Sequence, residues 1–284
     1  MSSRAIEALN YKAPHRNWSM RAMKLSPGGF FLVVILLAAT LTGCGRQADS
    51  GAAAEDGTEY VVGSDASYPP FESVGVGQQV VGFDVDLLRA VAAHAGFHVR
   101  FVNTPWEGIF GALAQGRYDI LASSISINAA RAQAVDFSDP YFDARQVIAV
   151  PHGANEVGSF ADLRGERVAV QVGTTADDDL QRLVGRDSAN IVRFQTMTEA
   201  FDALKAGRVK ALVGDNGVVA GFVRHSNGMF FTVEDTASFA PEHYGFAVRK
   251  GREALRGKIN AGLAAVRADG TYAALYQKYF GTGR

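Results

Sequence analysis

Short apolar runs alternate with stretches of helical periodicity along most of this chain. Residues 60–63 and 98–102 have the apolar composition of short buried strands. Between them, residues 85–95 carry apolar side chains at helical spacing and are followed by Gly96, a residue type that commonly ends helices. Such alternation is typical of parallel α/β layers. The pattern therefore predicts an α/β fold, with a hairpin over residues 72–83.

A unit of helix, glycine and buried strand occurs twice in the sequence. Residues 106–115 predict the first helix, and residues 118–122 predict the strand after it. Six positions of this unit recur with the same spacing: Phe110, Ala112, Leu113, Gly116, Arg117 and Leu121 are matched by Phe201, Ala203, Leu204, Gly207, Arg208 and Leu212. We interpret the repeat as a sign of two similar lobes.

Polar residues follow the strand of each unit. Ser123 and Ser124 come after the first strand, and Gly214 and Asp215 end the second. Open α/β sheets bind ligands beyond the carboxyl ends of their strands. The two polar strand ends are therefore predicted to face each other across a cleft.

The N-terminal region has the layout of an export signal. Arg21 and Lys24 precede an apolar run over residues 30–41, which has 12 residues and is shorter than the ~20 needed to span a bilayer. We predict a signal peptide over residues 1–43, with Met23 as an alternative start that gives ordinary proportions.

The signal ends in Leu-Thr-Gly-Cys, which resembles the lipobox of bacterial lipoproteins. That resemblance implies lipidation of Cys44, which then becomes the first mature residue. The alternative is a structural cysteine. Residues 44–57 are small, polar and without pattern, so they are predicted to form a lipidated flexible tether.

Composition excludes several classes of protein. A hydrophobic content of 48% and a charged content of 20% indicate a globular chain, and a net charge of -1 gives no basic excess for nucleic acid. One cysteine forms no internal disulfide and no Cys-rich zinc site. His94 and His98 have the spacing of zinc ligands, but Gly96 ends the helix between them. We expect no metal and no cofactor.

Several motifs resemble the bacterial extracellular solute-binding proteins of family 3, which bind polar amino acids. The resemblance covers about residues 60–281 and is carried by Gly82-Phe83-Asp84-Val85-Asp86-Leu87, Tyr68-Pro69-Pro70-Phe71-Glu72, Asp136-Phe137-Ser138, Gly173-Thr174-Thr175, Tyr244-Gly245-Phe246-Ala247-Val248, Asp269-Gly270-Thr271-Tyr272 and Lys278-Tyr279-Phe280-Gly281.

The resemblance implies a two-lobed periplasmic-binding-protein fold of type II, with two α/β lobes joined by two crossover strands. Lobe one is expected to comprise residues 58–149 plus 245–284, and lobe two residues 150–244. The crossovers are expected near residues 147–151 and 241–245.

A zwitterionic ligand needs fixed partners of both charges. By its match to the family, Arg131 is expected to hold the α-carboxylate, because a guanidinium fork binds carboxylates in bidentate fashion. Asn128 is a good N-cap and puts Arg131 in a first helical turn. Asp215 is expected to accept from the α-ammonium group, although it also suits an N-cap for the next helix. Further contacts are expected from Ser124, Ser126 and the N–H of Thr175.

The resemblance also implies residues for the ligand side chain. Trp106 matches the position of an aromatic ring over that side chain, and Tyr68 is expected on its other face. Asp65 matches the position at the distal end of the ligand and favours arginine, lysine or histidine. Gln171 leaves glutamine open, because a neutral amide suits an amide ligand equally well.

The functional expectation is a monomeric, extracytoplasmic, lipid-anchored receptor that delivers a polar L-amino acid to an ABC transporter permease. Two alternatives stay open. One is a periplasmic dehydratase of a cyclic dicarboxylic acid, with Asp65, Glu107 or Asp215 as general acid; the other is a partner for a separate sensor. Asp84 and Asp86 look like a catalytic pair, but we interpret them as structural. We expect no enzyme activity.

Overall fold

A computed structural model describes residues 57–154 and 156–281 of the chain. The predicted signal peptide, the tether up to residue 56 and Cys44 lie outside the described residues. The strands are, in chain order, β1 (Glu59–Ser64), β2 (Ser67–Tyr68), β3 (Glu72–Val74), β4 (Val80–Val81), β5 (His98–Asn103), β6 (Ile120–Leu121), β7 (Val135–Phe137), β8 (Phe142–Ala144), β9 (Gln146–Pro151), β10 (Val168–Gln171), β11 (Ile191–Phe194), β12 (Ala211–Asp215), β13 (Phe230–Val233), β14 (Glu242–Tyr244) and β15 (Ala247–Arg249).

Eight α-helices lie between and after these strands in the described part of the chain. They are α1 (Phe83–Ala95), α2 (Ile109–Ala114), α3 (Ala129–Ala134), α4 (Thr175–Val184), α5 (Met197–Lys205), α6 (Asn216–Arg224), α7 (Glu253–Ala268) and α8 (Thr271–Phe280). None of the described helices is both long enough and apolar enough to cross a bilayer.

Two five-stranded sheets form the centres of two lobes, and they have the same topology. The first sheet has the order β5-β1-β6-β15-β7 and the second the order β11-β10-β12-β9-β13. In each sheet the first three strands run parallel, and the fourth is antiparallel to the third. The predicted repeat is confirmed at this level, because α2 and β6 hold the same place in the first lobe as α5 and β12 in the second.

Helix α1 illustrates how local sequence positions the first lobe. It begins after Gly82, whose φ is 145° and where an added Cβ would lie 2.0 Å from the carbonyl oxygen of Phe71. It ends at Gly96 in the left-handed conformation, as predicted. Its buried face carries Leu87 and Leu88 into the core beneath the sheet. The hairpin of β3 and β4 precedes it and is also as predicted.

A small two-stranded sheet, β8 paired with β14, connects the lobes. The expected second crossover near residues 241–245 coincides with β14. The expected first crossover at residues 147–151 is wrong, because this segment is β9 and pairs with β12 and β13 inside the second sheet. The first crossover is β8, so the boundary predicted at 149/150 falls within a strand of lobe two.

The second predicted helix is shorter than expected. It begins at Ile109 because Gly108 has a φ of 80°, which stops the helix from extending back to Trp106. The strand predicted over residues 118–122 is likewise reduced to β6. The consequence is that Trp106 lies in a loop ahead of α2, at the edge of the cleft.

Candidate functional site

A cavity lies between the lobes, and its empty space, including the part open to solvent, is about 310 Å³. It is lined by residues that follow β1, β6, β10 and β12 and by residues of α3 and α4, so the carboxyl ends of both sheets face it as predicted. All nine residues predicted to bind a ligand line this cavity: Asp65, Tyr68, Trp106, Ser124, Ser126, Arg131, Gln171, Thr175 and Asp215. Ser123, which was predicted to face the cleft but not to bind the ligand, also lines it, as do Glu72 and Thr174, for which no place in the cleft was predicted.

Arg131 provides the positive charge of the cavity. The side chain of Asn128 accepts a hydrogen bond from the backbone N–H of Arg131 over 2.8 Å, which confirms the predicted N-cap. Nη1 of Arg131 donates to the carbonyl oxygen of Ser126 over 3.0 Å, and the guanidinium lies 5.2 Å from the centre of the Trp106 ring. Burial lowers the pKa of Arg131, but an arginine stays charged in proteins. The guanidinium is thereby fixed at the cavity wall.

Asp215 ends β12 and is almost fully buried. Its Oδ2 accepts from the hydroxyls of Tyr68 over 2.9 Å and Tyr244 over 2.6 Å, and its Oδ1 accepts from the amide of Gln146. It occupies the N-cap position of α6, as the alternative interpretation predicted, but its side chain makes no capping hydrogen bond there. Burial, followed by the nearby charge of Glu242, raises the pKa of Asp215 to about 6.

Residues on and beside the connecting strands form further hydrogen bonds around Asp215. The amide nitrogen of Gln146 at the start of β9 lies 3.1 Å from Oγ1 of Thr175 and 2.9 Å from Oε1 of Glu242 on β14. Oγ1 of Thr175 in turn donates to Oε2 of Glu242 over 2.9 Å. Thr175 is the first residue of α4, so its N–H is at a helix N-terminus, where anions are favoured.

Asp65 follows β1 and lies opposite Gln171 at the end of β10. Nε2 of Gln171 donates to Oδ2 of Asp65 over 2.7 Å, across the cleft. Burial raises the pKa of Asp65, while the hydrogen bond from Gln171 acts in the opposite direction. Nε1 of Trp106 makes a second contact between the lobes by donating to the carbonyl oxygen of Gly173 over 3.2 Å. The lobes thus enclose the cavity.

Glu72 is the most informative residue that sequence reasoning missed. Its side chain is fully buried and accepts from the hydroxyls of Ser123 over 3.2 Å and Ser124 over 3.1 Å. Burial, with Asp84 and Asp65 nearby, raises the pKa of Glu72 well above its ordinary value. An acid at the start of a short hairpin strand suggests an exposed position, so only its place in the same motif as Tyr68 could have indicated a role.

The structural interpretation of the acidic pair on α1 agrees with the contacts of both residues. Asp84 is buried and accepts from the N–H of Ser124 and the hydroxyl of Tyr141, while Asp86 accepts from Lys278 and Tyr279 on α8. His94 pairs with Asp269. Within residues 57–154 and 156–281 there is no group of His, Cys, Asp and Glu that could hold a metal ion.

The sequence model of a protein family, the bacterial extracellular solute-binding proteins, family 3, matches residues 60–282 of this chain. The chain belongs to this family. Both connecting strands and all the residues that line the cavity lie within the matched residues. The expected two-lobed α/β fold is confirmed.

Three relatives illustrate the match. A probable histidine-binding protein of Neisseria gonorrhoeae is 41% identical over 249 residues, which cover 86% of this chain and 91% of that protein. The arginine-, lysine-, histidine-binding protein ArtJ of Geobacillus stearothermophilus has 37% identity and a TM-score of 0.76, covering 80% and 97%. The ancestral amino acid-binding protein AncCDT-1, a precursor of cyclohexadienyl dehydratase, has 38% identity and a TM-score of 0.71, covering 78% and 95%.

Proposed function

We propose that this family 3 solute-binding protein captures a basic L-amino acid in the interlobe cavity and delivers it to an ABC transporter permease. The observation that carries the proposal is the charge balance of the cavity. Its lining has one base, Arg131, and three acids, Asp65, Glu72 and Asp215. A zwitterion uses Arg131 and Asp215, which leaves two acids for the ligand side chain. That excess of negative charge favours a cation there.

The backbone of the ligand is proposed to lie between Arg131 and Asp215. The guanidinium suits the α-carboxylate, assisted by the N–H of Thr175. Asp215 already accepts hydrogen bonds from two tyrosine hydroxyls and an amide, which keeps its carboxylate oriented. An ammonium group beside it would favour the ionised form of the carboxyl. Ser124 and Ser126 are proposed as further contacts.

The side chain of the ligand is proposed to lie between Trp106 and Tyr68, with its cationic end towards Asp65. A histidine-binding relative and an arginine-, lysine-, histidine-binding relative support this ligand class. Glutamine is the second candidate, because Gln171 presents its amide to Asp65 in the same part of the cavity. The amide nitrogen of a glutamine ligand could donate a hydrogen bond to the carboxylate of Asp65.

The alternative function is enzyme activity, and the similarity of the chain to AncCDT-1, a precursor of cyclohexadienyl dehydratase, is the reason to consider it. A dehydratase of a cyclic dicarboxylic acid would need a positive partner for each carboxylate. Arg131 is the only base among the residues that line the cavity. We therefore propose a receptor without enzyme activity; turnover of prephenate by the purified protein would contradict this.

Outside the cavity, we propose a monomer that is exported and anchored in the membrane through a lipid on Cys44. The proposal rests on the apolar run of residues 30–41 and the Leu-Thr-Gly-Cys ending. Family 3 proteins act outside the cytoplasm, which agrees with an export signal.

A thermal-shift screen with the twenty amino acids tests the receptor function, since binding raises stability in proportion to ln(1 + [L]/Kd).

A further inference from the structure

A chain of hydrogen bonds connects three buried acids on the lobe-one side of the cavity. The hydroxyl of Ser123 donates to Glu72 and accepts from the N–H of Asp65 over 2.9 Å. The hydroxyl of Ser124 donates to the other oxygen of Glu72, and its N–H donates to Asp84 over 2.9 Å. We call Asp65, Glu72 and Asp84 the carboxylate cluster. Asp65 and Glu72 line the cavity, and Asp84 accepts from the backbone N–H of Ser124, which also lines it.

No cation of the described residues compensates this cluster. None of the ion pairs within residues 57–154 and 156–281 involves a member of it. The titratable groups that face Glu72 from neighbouring elements are Asp84 on α1, Asp65 after β1, Tyr68 on β2 and Tyr141 before β8. All of these are acids or phenols. Oδ1 of Asp84 is buried and has no hydrogen-bond partner among the described residues.

Three charged carboxylates in such a place are unfavourable. Taking an unpaired carboxylate out of water costs several kcal/mol in real proteins, and buried acids avoid the cost by keeping a proton. Burial raises the pKa of Asp84 to about 7, and the pKa of Glu72 is raised well above its ordinary value. In the protein without a ligand, the carboxylate cluster is therefore at least partly protonated at neutral pH.

We propose that Glu72 is the charge-selecting residue of the cavity: it is protonated when the cavity is empty and releases its proton to solvent when a cationic side chain enters. This inference rests on the proposed function, because it concerns the ligand of the same site. A guanidinium or ammonium supplies the positive partner that the cluster lacks, so it stabilises the ionised carboxylate. A neutral amide does not, and glutamine leaves the proton in place.

Proton linkage distinguishes the two kinds of ligand. Because the cationic complex holds fewer protons than the free protein, affinity for arginine must rise with pH above neutrality. Asp215 also ionises on binding, but it does so for every amino acid and its pKa is about 6, so it contributes little above pH 7. The number of protons released when arginine binds, minus the number released when glutamine binds, therefore reports the ionisation of the carboxylate cluster.

The test is calorimetry of the purified protein with arginine and with glutamine at pH 7, in phosphate and in Tris. These buffers take up a released proton with different heats. The proposal predicts that the arginine heat differs between the buffers by more than the glutamine heat, and that the Kd for arginine falls several-fold between about pH 7 and pH 8.5. Equal buffer dependence for the two ligands, together with a Kd for arginine that does not change with pH, would overturn it.

Glu72→Gln is the matched variant, because it keeps the size and a side chain whose oxygen can accept from one of the two serines while its nitrogen donates to the other. It should remove the arginine-specific buffer dependence and reduce the preference for arginine over glutamine by about tenfold or more. Glu253→Gln removes an exposed acid of α7 and should change neither. An unchanged preference in folded Glu72→Gln would contradict the role of Glu72. If that variant does not fold, the pH dependence of the Kd of the wild-type protein for arginine tests the proposal by itself. Absence of binding by any amino acid would instead refute the proposed function.

Discussion

Asp65 and Gln171 join the two lobes through one buried hydrogen bond of 2.7 Å in the wall of the cavity. Nε2 of Gln171 donates to Oδ2 of Asp65 and to the backbone carbonyl of Gln195, so both of its hydrogens are used. We propose that the other oxygen of Asp65, Oδ1, faces the ligand. A cationic side chain beside this oxygen would be held by charge, whereas a neutral amide would be held by a hydrogen bond alone.

Asp65→Asn should therefore change the preference of the protein more than its capacity to bind. The variant keeps the size and a hydrogen-bonding oxygen but removes the charge. We expect arginine and lysine to lose about 1.5 to 3 kcal/mol, roughly 10- to 150-fold, and glutamine to lose much less. Calorimetry with the three ligands measures the difference. Equal losses for all three would argue against a basic ligand.

Arg131→Ala should weaken every amino acid by a similar factor. It removes a charge-assisted pair from a closed cavity, which costs on the order of 2 to 5 kcal/mol, or roughly 30-fold to several thousand-fold. Arg186→Ala, in an exposed position of lobe two, is the control and should bind normally. Unaltered affinity in Arg131→Ala would show that the α-carboxylate lies elsewhere.

The fold and much of the cavity could be predicted because both depend on the ends of predicted strands. Ser124 and Asp215 follow apolar runs that could hardly be anything other than buried strands, and the topology of α/β lobes brings such ends together. Arg131 became a candidate through its N-cap, Asn128, and through the family resemblance. These are local features that a sequence displays directly.

The first connecting strand, β8, and Glu72 were missed for a common physical reason. β8 has three residues, too few for a periodic pattern, whereas the longer apolar run of β9 next to it imitates a crossover. Glu72 owes its burial to the serines after β6, which are far away in sequence. Such long-range contacts leave no local pattern.

Binding should weaken in acid because Asp215 must be ionised to hold the ammonium group. Its pKa in the free protein is about 6, so the ligand has to displace a proton below that pH. The Kd for any amino acid should then rise by up to about tenfold for each pH unit below 6. Asp215→Asn should bind weakly at all pH values and lose this dependence. A wild-type Kd that is constant between about pH 4.5 and pH 6.5 would contradict the role of Asp215.

Cys44→Ser should release the protein from the membrane without affecting the cavity. The residue precedes the described part of the chain, and a serine cannot be lipidated in its place. Fractionation of cells followed by a thermal shift with arginine measures location and binding separately. Continued recovery in the membrane fraction would exclude the lipid anchor on Cys44, whereas loss of binding in a soluble protein would indicate a different role for the cysteine.

The central claim is that the uncompensated acids of the cavity select a cationic amino acid. The most direct measurement is calorimetry of the wild-type protein at pH 7.5 with arginine, lysine, histidine and glutamine in parallel. We predict that at least one of the three basic amino acids binds about tenfold or more tightly than glutamine. Tighter binding of glutamine than of all three, or no heat with any of the four, would contradict the account.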